Sequence, residues 1–317
     1  MGRKLLMSFA LDEQALKRVF GSRRNPVAVA EWVHVQCKHC GSQDVFRYGF
    51  DKRGKQRFVC NVCKRTFIDN KAPARRRFPS EAIALALNMF YESASLAKIQ
   101  RQIDLTYGVK PDRMTVHRWI TDYSRKASKA LNDVPIKAGS KWVADETVIR
   151  LKEKGGSKGW FWDIIDDKTR FLLASHLSES RKTSDAQTLM ERASKRANRV
   201  PAVVVTDKLA SYVDGIELAF GGDTQHRQAK KLASSGGTQL IERFHSTLKD
   251  RTKVFRSFFG KRSATTVLAG WLVHYNYFRP HSSLNGKTPA EAAGVQSPFK
   301  NWGDVVRGEE NGDKGLT

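Results

Sequence analysis

Residues 201–212 read PAVVVTDKLASY, a run of small apolar and β-branched residues, Ala202 to Val205, leading through Thr206 to Asp207. A run this short, apolar throughout and opened by proline, predicts a fully buried strand and so an α/β fold for the larger part of the chain. The acid at its mouth needs a reason in a chain of 317 residues with 56 Lys and Arg, 32 Asp and Glu and a net charge of +24. Alone, Asp207 reads as a turn former or as the cap of a helix starting at Lys208. The surrounding pattern adds a second reading.

Upstream, WVADETVIRL, a turn at KGGSKG, WFWDIID, a turn at DK, and TRFLLASHL predict three strands joined by hairpins. Ser184 to Gln187 offers a capping box for a helix carrying Ala186, Leu189, Met190 and Ala193 on one face. Downstream come a helix through Leu209 and Tyr212, a short strand around HRQAK, a loop SSGGT and a long helix from about Gln239. The order βββαβαβα predicts an antiparallel meander crossing over into parallel strands, a mixed sheet with helices on its faces. If its first and fourth strands are neighbours, Asp145 and Asp207 meet at the sheet edge, and the last helix brings Glu242 above them.

Three acids so placed repel one another unless a cation compensates. Carboxylate oxygens suit Mg²⁺, which keeps open positions for substrate phosphates, so the cluster fits two-metal phosphoryl chemistry on an anionic substrate. Lys249, seven residues after Glu242, falls on the same helix face and can reach a phosphate. His245 shares that face and reads as a packing or hydrogen-bonding residue. Asp163, Asp166 and Asp167 cluster on the second strand and its turn; DDK reads as hairpin chemistry, and all three stay outside the catalytic set. Glu146 is expected on the opposite face of its strand from Asp145.

Charge is uneven along the chain: residues 1–78 hold eighteen Lys/Arg and six Asp/Glu, half of the net surplus in a quarter of the length. A polyanion is the natural partner. No long apolar run marks a membrane span, and MGRKLLMSFALDEQ is a poor signal peptide, so a reducing cytoplasm is expected. There the four cysteines, paired as CKHC (Cys37, Cys40) and CNVC (Cys60, Cys63) with nineteen residues between, predict a zinc ribbon holding one structural Zn²⁺. Its basic runs KRGKQR, KRTF and ARRR point to phosphate contact.

From Pro79 the period becomes helical. Ser80 can cap a helix, Ser95 a second that ends near Gly108, and a third follows Pro111. Trp119 and Tyr123 are expected in a core. Arg113, Thr115, His117 and Arg118 lie between the apolar positions of the third helix, so the trio reads as a helix-turn-helix entering a major groove; the alternative is a bundle that only packs on its neighbours. In the tail, Thr288, Pro289 and Glu291 form a capping box, WLVHYNYFRP ends its helix before Pro280, and the chain past Phe299 is expected to fray. The expected division is a basic segment 1–34, a zinc ribbon 35–72, a helix-turn-helix 79–132, a catalytic domain 140–260, a helical extension 261–296 and a disordered tail 300–317.

VADET, VVTDKLASY and IERFHSTLKDR, with D…D-x34-E and a basic residue seven positions beyond the glutamate, resemble the three catalytic blocks of the DDE transposases of bacterial and archaeal insertion sequences, nearest their IS-six-like group. RFVCNVCKRTF, TVHRWITDY and YNYFRPHSSLNGKTPAEAAG extend the resemblance over roughly residues 35 to 295. It implies an RNase H-like fold, with Asp145, Asp207 and Glu242 as ligands of two Mg²⁺ or Mn²⁺ ions and Lys249 at the family's basic position. It further implies recognition of terminal inverted repeats in double-stranded DNA, strand cleavage and 3′-hydroxyl strand transfer, a homodimer or higher assembly, and a nucleoid-associated prokaryotic enzyme. A catalytically silent DNA-binding regulator and an RNase H-like nuclease are the rival readings.

Overall fold

The computed structural model describes residues 35–52, 54–69, 77–152, 158–229, 239–254, 258 and 260–308. The basic segment 1–34, most of the KGGSKG turn and the ARRR run, the SSGGT loop and residues 309–317 lie outside that range. The chain divides into two compact units, Met1–Asp69 and Asn70–Thr317.

In the first unit, β1 (Val45–Phe50), β2 (Gln56–Cys60) and β3 (Thr66–Ile68) form an antiparallel sheet in the order β1-β2-β3. Its buried core is Cys37, Cys60 and Phe67, with Val35, Val45, Phe58 and Cys63 packed against it. So few apolar residues cannot offset the entropy of ordering the segment, which is the usual reason for a structural metal.

The second unit opens with α1 (Ser80–Tyr91), α2 (Leu96–Tyr107) and α3 (Arg113–Leu131). Ser95 Oγ accepts from the Lys98 N–H, and Gly108 closes α2 in the left-handed conformation at φ 62°. Ser80 does not cap: Pro79 occupies the cap position without a side-chain bond, and Ser80 is the first helical residue. Asp112 caps α3 by accepting from the Met114 N–H at 2.7 Å. Trp119 and Tyr123 are buried as expected.

The sheet follows as β4 (Lys141–Arg150), β5 (Lys158–Asp166), β6 (Leu172–Ser178), α4 (Thr183–Ala197), β7 (Val203–Thr206), α5 (Ala210–Phe220), β8 (Gln225–Gln228) and α6 (Gln239–Lys253), the expected βββαβαβα order. The strands lie in the order β6-β5-β4-β7-β8, with β4 antiparallel to β5 and parallel to β7. The Ser184–Gln187 capping box is not formed. The helix begins two residues earlier, with Lys182 at the cap position, and the Asp185 carboxylate accepts from the Lys182 N–H at 3.1 Å.

After α6 come α7 (Gly260–Val273), which runs into a π-helical segment His274–Phe278, the short α8 (Pro289–Ala292) and α9 (Trp302–Arg307). Thr288 and Glu291 form the predicted capping box of α8. The predicted fraying past Phe299 is wrong for α9: Trp302, Val305 and Val306 are buried, and α9 packs on α1 and α3.

One continuous core joins Ile83, Phe90 and Trp119 of the helices to Trp142, Phe161 and Val205 of the sheet, so the three helices are not separately cored. Arg251 of α6 makes the same link, lying buried over the Phe90 ring at 3.7 Å and donating to the Ala94 carbonyl at 3.0 Å. Gly270 sets how closely α7 approaches: a Cβ there would sit 2.0 Å from the Tyr91 hydroxyl and 2.3 Å from Ser124 Oγ, atoms that are themselves hydrogen-bonded at 2.5 Å. Gly270→Ala is therefore expected to cost about 1–3 kcal/mol through overpacking, read as a lower urea midpoint. An unchanged midpoint would show that this contact is not the tight one.

Candidate active site at the strand edge

Asp145 lies within β4 and Asp207 directly follows β7. Parallel pairing sets Lys141 beside Val203, Trp142 beside Val204 and Val143 beside Val205; the same offset, continued, puts Asp145 level with Asp207. Asp207 also does what a lone aspartate at that position does, its Oδ1 accepting from the Leu209 N–H at 2.9 Å. The two roles are compatible because the carboxylate has two oxygens.

Candidate ligand oxygens of Asp145, Glu146 and Asp207 all lie within 4.8 Å of one another. Strand alternation predicts Glu146 on the face away from Asp145. It does face the other side of the sheet, where its carboxylate meets the Arg181 guanidinium and comes under the influence of Tyr212. Beyond Val143, where the pairing of β4 with β7 stops, the carboxylate nevertheless stays within reach of both aspartates. Burial pushes Glu146 up in pKa, opposed by Arg181 and reinforced by Asp207 and Asp145. The buried Tyr212 hydroxyl is pushed well above its ordinary value, by burial first and then by the charges of Glu146, Asp145 and Asp207. So much negative charge in a partly desolvated pocket is the electrostatic signature of a cation site. The buried Glu146 Oε2, which has no hydrogen-bond partner among the described residues, adds an oxygen suited to a hard divalent ion.

Glu242 stands outside this group, exposed in the first turn of α6. Lys249 is exposed two turns further along. What α6 does send into the site is His245, whose side chain is 6% exposed. The β4–β5 register sets Asp145 directly opposite Asp163, an arrangement that by itself puts two carboxylates on one face. His245 separates them: Nε2 meets Asp163 Oδ2 at 3.1 Å, and Nδ1 faces Asp145 Oδ2 at 3.5 Å. Asp163, expected outside the site, is therefore tied to it through His245. The signal was in the sequence, because pairing WVADE with WFWDIID around one turn sets the two aspartates opposite each other. Asp166 and Asp167 do serve the turn: Asp166 accepts from Gly139 and Thr169, and Asp167 pairs with Lys141 and Arg170.

Burial works against a charge on His245, but its bonds to Asp145 and Asp163 outweigh that and carry it up to about 9. Burial raises Asp163 to about 6 against the pull of the histidine. A histidine whose folded pKa exceeds its unfolded one adds stability below about 6.5 that is lost as pH rises through about 9. In magnesium-free buffer the melting temperature is expected to fall between pH 6.5 and 9.5, by the equivalent of on the order of 2 kcal/mol, and to fall less in His245→Gln. Equal slopes in the two proteins would refute that linkage.

In the first unit the four cysteine sulfurs lie within 4.8 Å of one another, with Cys37–Cys63 at 3.6 Å and Cys40–Cys60 at 3.5 Å. These distances are far too long for a disulfide and close to the ~3.8 Å edge of a tetrahedron with 2.3 Å Zn–S arms. The N–H groups of His39 and Cys63 point at Cys37 Sγ and Cys60 Sγ, at 3.4 and 3.5 Å, as at a thiolate-bound ion. On α3, Arg113 and Arg118 are exposed, Thr115 accepts from Arg118 at 3.0 Å, and His117 is half-buried with its pKa lowered by burial. Among the described residues no helix is long and apolar enough to cross a membrane.

Residues 139–281 match the family described as a DDE domain. An uncharacterized protein of Methanocaldococcus jannaschii is 24% identical over 229 residues, covering 70% of this chain and 96% of its own. Among solved structures, the HTLV-2 integrase catalytic core domain in complex with magnesium is similar at 13% identity and TM-score 0.39, over 50% of this chain and 99% of that one. The BIV integrase catalytic core domain gives 16% and 0.37, over 49% and 94%. Those structural likenesses are distant, and the family match carries the assignment. The paired aspartates at the strand edge fall inside the matched segment, and residues 139–281 are a DDE domain of the transposase type.

Proposed function

We propose that the protein is an insertion-sequence transposase of the IS-six-like group, with an RNase H-like catalytic domain that cuts DNA at the ends of its element and joins the freed 3′ ends to a target. The single observation that carries this reading is the convergence of Asp145, Glu146 and Asp207 at the edge of two parallel strands inside a DDE domain. Asp145 and Asp207 supply oxygen ligands, and Glu242 the third. Glu242 precedes His245 by one turn of α6, so the Cβ atoms of the two lie about 5–6 Å apart, and His245 already touches Asp145. Completing the cluster requires the Glu242 carboxylate to turn inward from its exposed position.

A divalent ion held there supplies positive charge for the phosphoryl oxygens and a lowered pKa for the attacking water or 3′-hydroxyl. The chain's own part is to hold oxygen donors and position phosphate. His245 fixes Asp145 Oδ2, leaving the other oxygen for the ion, and Asp163 fixes His245 in turn. Lys249, on the Glu242 face of α6, contacts a phosphate beside the reacting one. One phosphodiester is exchanged for another, so no nucleotide hydrolysis is needed. The cysteine ribbon holds one Zn²⁺. The ribbon and α3, through Arg113, Thr115, His117 and Arg118, bind double-stranded end DNA, and two protomers or more hold a pair of ends.

A labelled pre-cut end incubated with plasmid and Mg²⁺ tests the reading. Label joined to plasmid is the expected product. Cut fragments alone would identify a nuclease, and binding with no Mg²⁺-dependent cleavage a silent regulator.

A further inference from the structure

The ribbon sheet has two unlike faces. One carries Cys60, Phe58 and Phe67 toward the cysteine cluster. On the other, Phe46 and Tyr48 of the edge strand β1 stand 56% and 55% exposed, too open for core residues and too close together for scattered ones. The Arg57 guanidinium lies 5.4 Å from the Tyr48 ring centroid and donates to Thr66 Oγ1 at 3.3 Å, so the cation is held beside the rings. Gly49, at φ 65°, sits where the β1–β2 register shifts, and beyond it Phe50 ends the strand 68% exposed beside the exposed Lys52 and Lys55.

We propose that this face is a stacking platform for unpaired DNA bases, a role that rests on the transposase reading above. The chemistry of the surface selects the occupant. Residues 35–69 hold eight Lys/Arg against three Asp, which favours an anionic partner. The exposed apolar groups of β1 are all aromatic, as suits flat π-faces more than the aliphatic side chains of a protein interface. Phe46 and Tyr48 are two residues apart on a strand, about 6.5 Å, roughly twice the 3.4 Å step of stacked bases. Such spacing fits an extended single strand and not a duplex, whose base faces are occupied by their own stack. The cations then follow the backbone while the rings take the bases, so the ribbon captures DNA that has opened near an end.

The test is fluorescence anisotropy on the full chain in magnesium-free buffer, with a labelled oligo-dT of about twelve nucleotides and a blunt duplex of similar length as probes. Phe46→Ala and Tyr48→Ala are each expected to weaken oligo-dT binding about tenfold while leaving duplex binding within about twofold. Both positions lie outside the ribbon core, so zinc content should be unchanged. Tyr48→Phe should retain most of the affinity, because the ring does the stacking. Equal loss on both probes, or no loss on either, overturns the platform. Unchanged oligo-dT affinity with altered sedimentation assigns the face to a second copy of the chain and likewise overturns it. A wild-type chain that binds neither probe overturns the transposase reading beneath it, an outcome separate from failure of the ring variants alone.

Discussion

Asp207→Asn is expected to reduce DNA cleavage and strand transfer about 10³-fold or more, the equivalent of ~4 kcal/mol of barrier, while end-DNA binding stays close to wild type. The substitution keeps the side chain's size and its acceptor toward the Leu209 N–H, so the strand-to-helix turn after β7 is preserved. What it removes is one negative oxygen from the group shared with Asp145 and Glu146. The chain's large positive charge is untouched, so the electrostatic attraction for DNA persists. A parallel gel-shift and cleavage assay checks this. Equal loss of binding and cleavage in a folded protein would mean that Asp207 is structural.

Cys40→Ser is expected to release the zinc and unfold the ribbon while the second unit keeps its melting transition. Among the described residues the ribbon's apolar core is three buried residues, two of them cysteines, so a metal on the four thiolates would be its main support. Structural Zn²⁺ in such sites supplies on the order of 10–16 kcal/mol, far more than that core can replace. Loss of the ribbon should also remove part of the DNA affinity, because that segment carries a surplus of basic residues. Metal analysis and limited proteolysis read the outcome. Retained stoichiometric zinc, with a protease-resistant ribbon, would refute four-thiolate coordination.

Much of the fold was legible because its signals are local. The VVVTD run, the alternating strands before it and the helical period after it gave the sheet and its order, and with that order the meeting of Asp145 and Asp207. The helix starts at Ser80 and Ser184 were misread because several residues near each start can cap, and packing chooses among them. α9 was missed because its burial is long-range, against α1 and α3, which come some two hundred residues earlier in the chain. At the site, Asp145 and Asp207 follow from topology alone. Asp163 and His245 follow only once strand register and helix docking are combined, since neither fact separately brings an imidazole between two carboxylates. Glu146 shows the limit of the alternation rule: where the neighbouring strand β7 stops, a side chain on the opposite face of β4 still reaches the same point.

The proposed chemistry requires one divalent-ion site shared by Asp145, Asp207 and Glu242. Anomalous scattering from a crystal of the DNA complex soaked in Mn²⁺ tests it most directly. Manganese between Asp145 and Asp207, with the Glu242 carboxylate drawn from its exposed position into coordination, is the expected result. A fully occupied soak with no ion there, and Glu242 still turned to solvent, would contradict it.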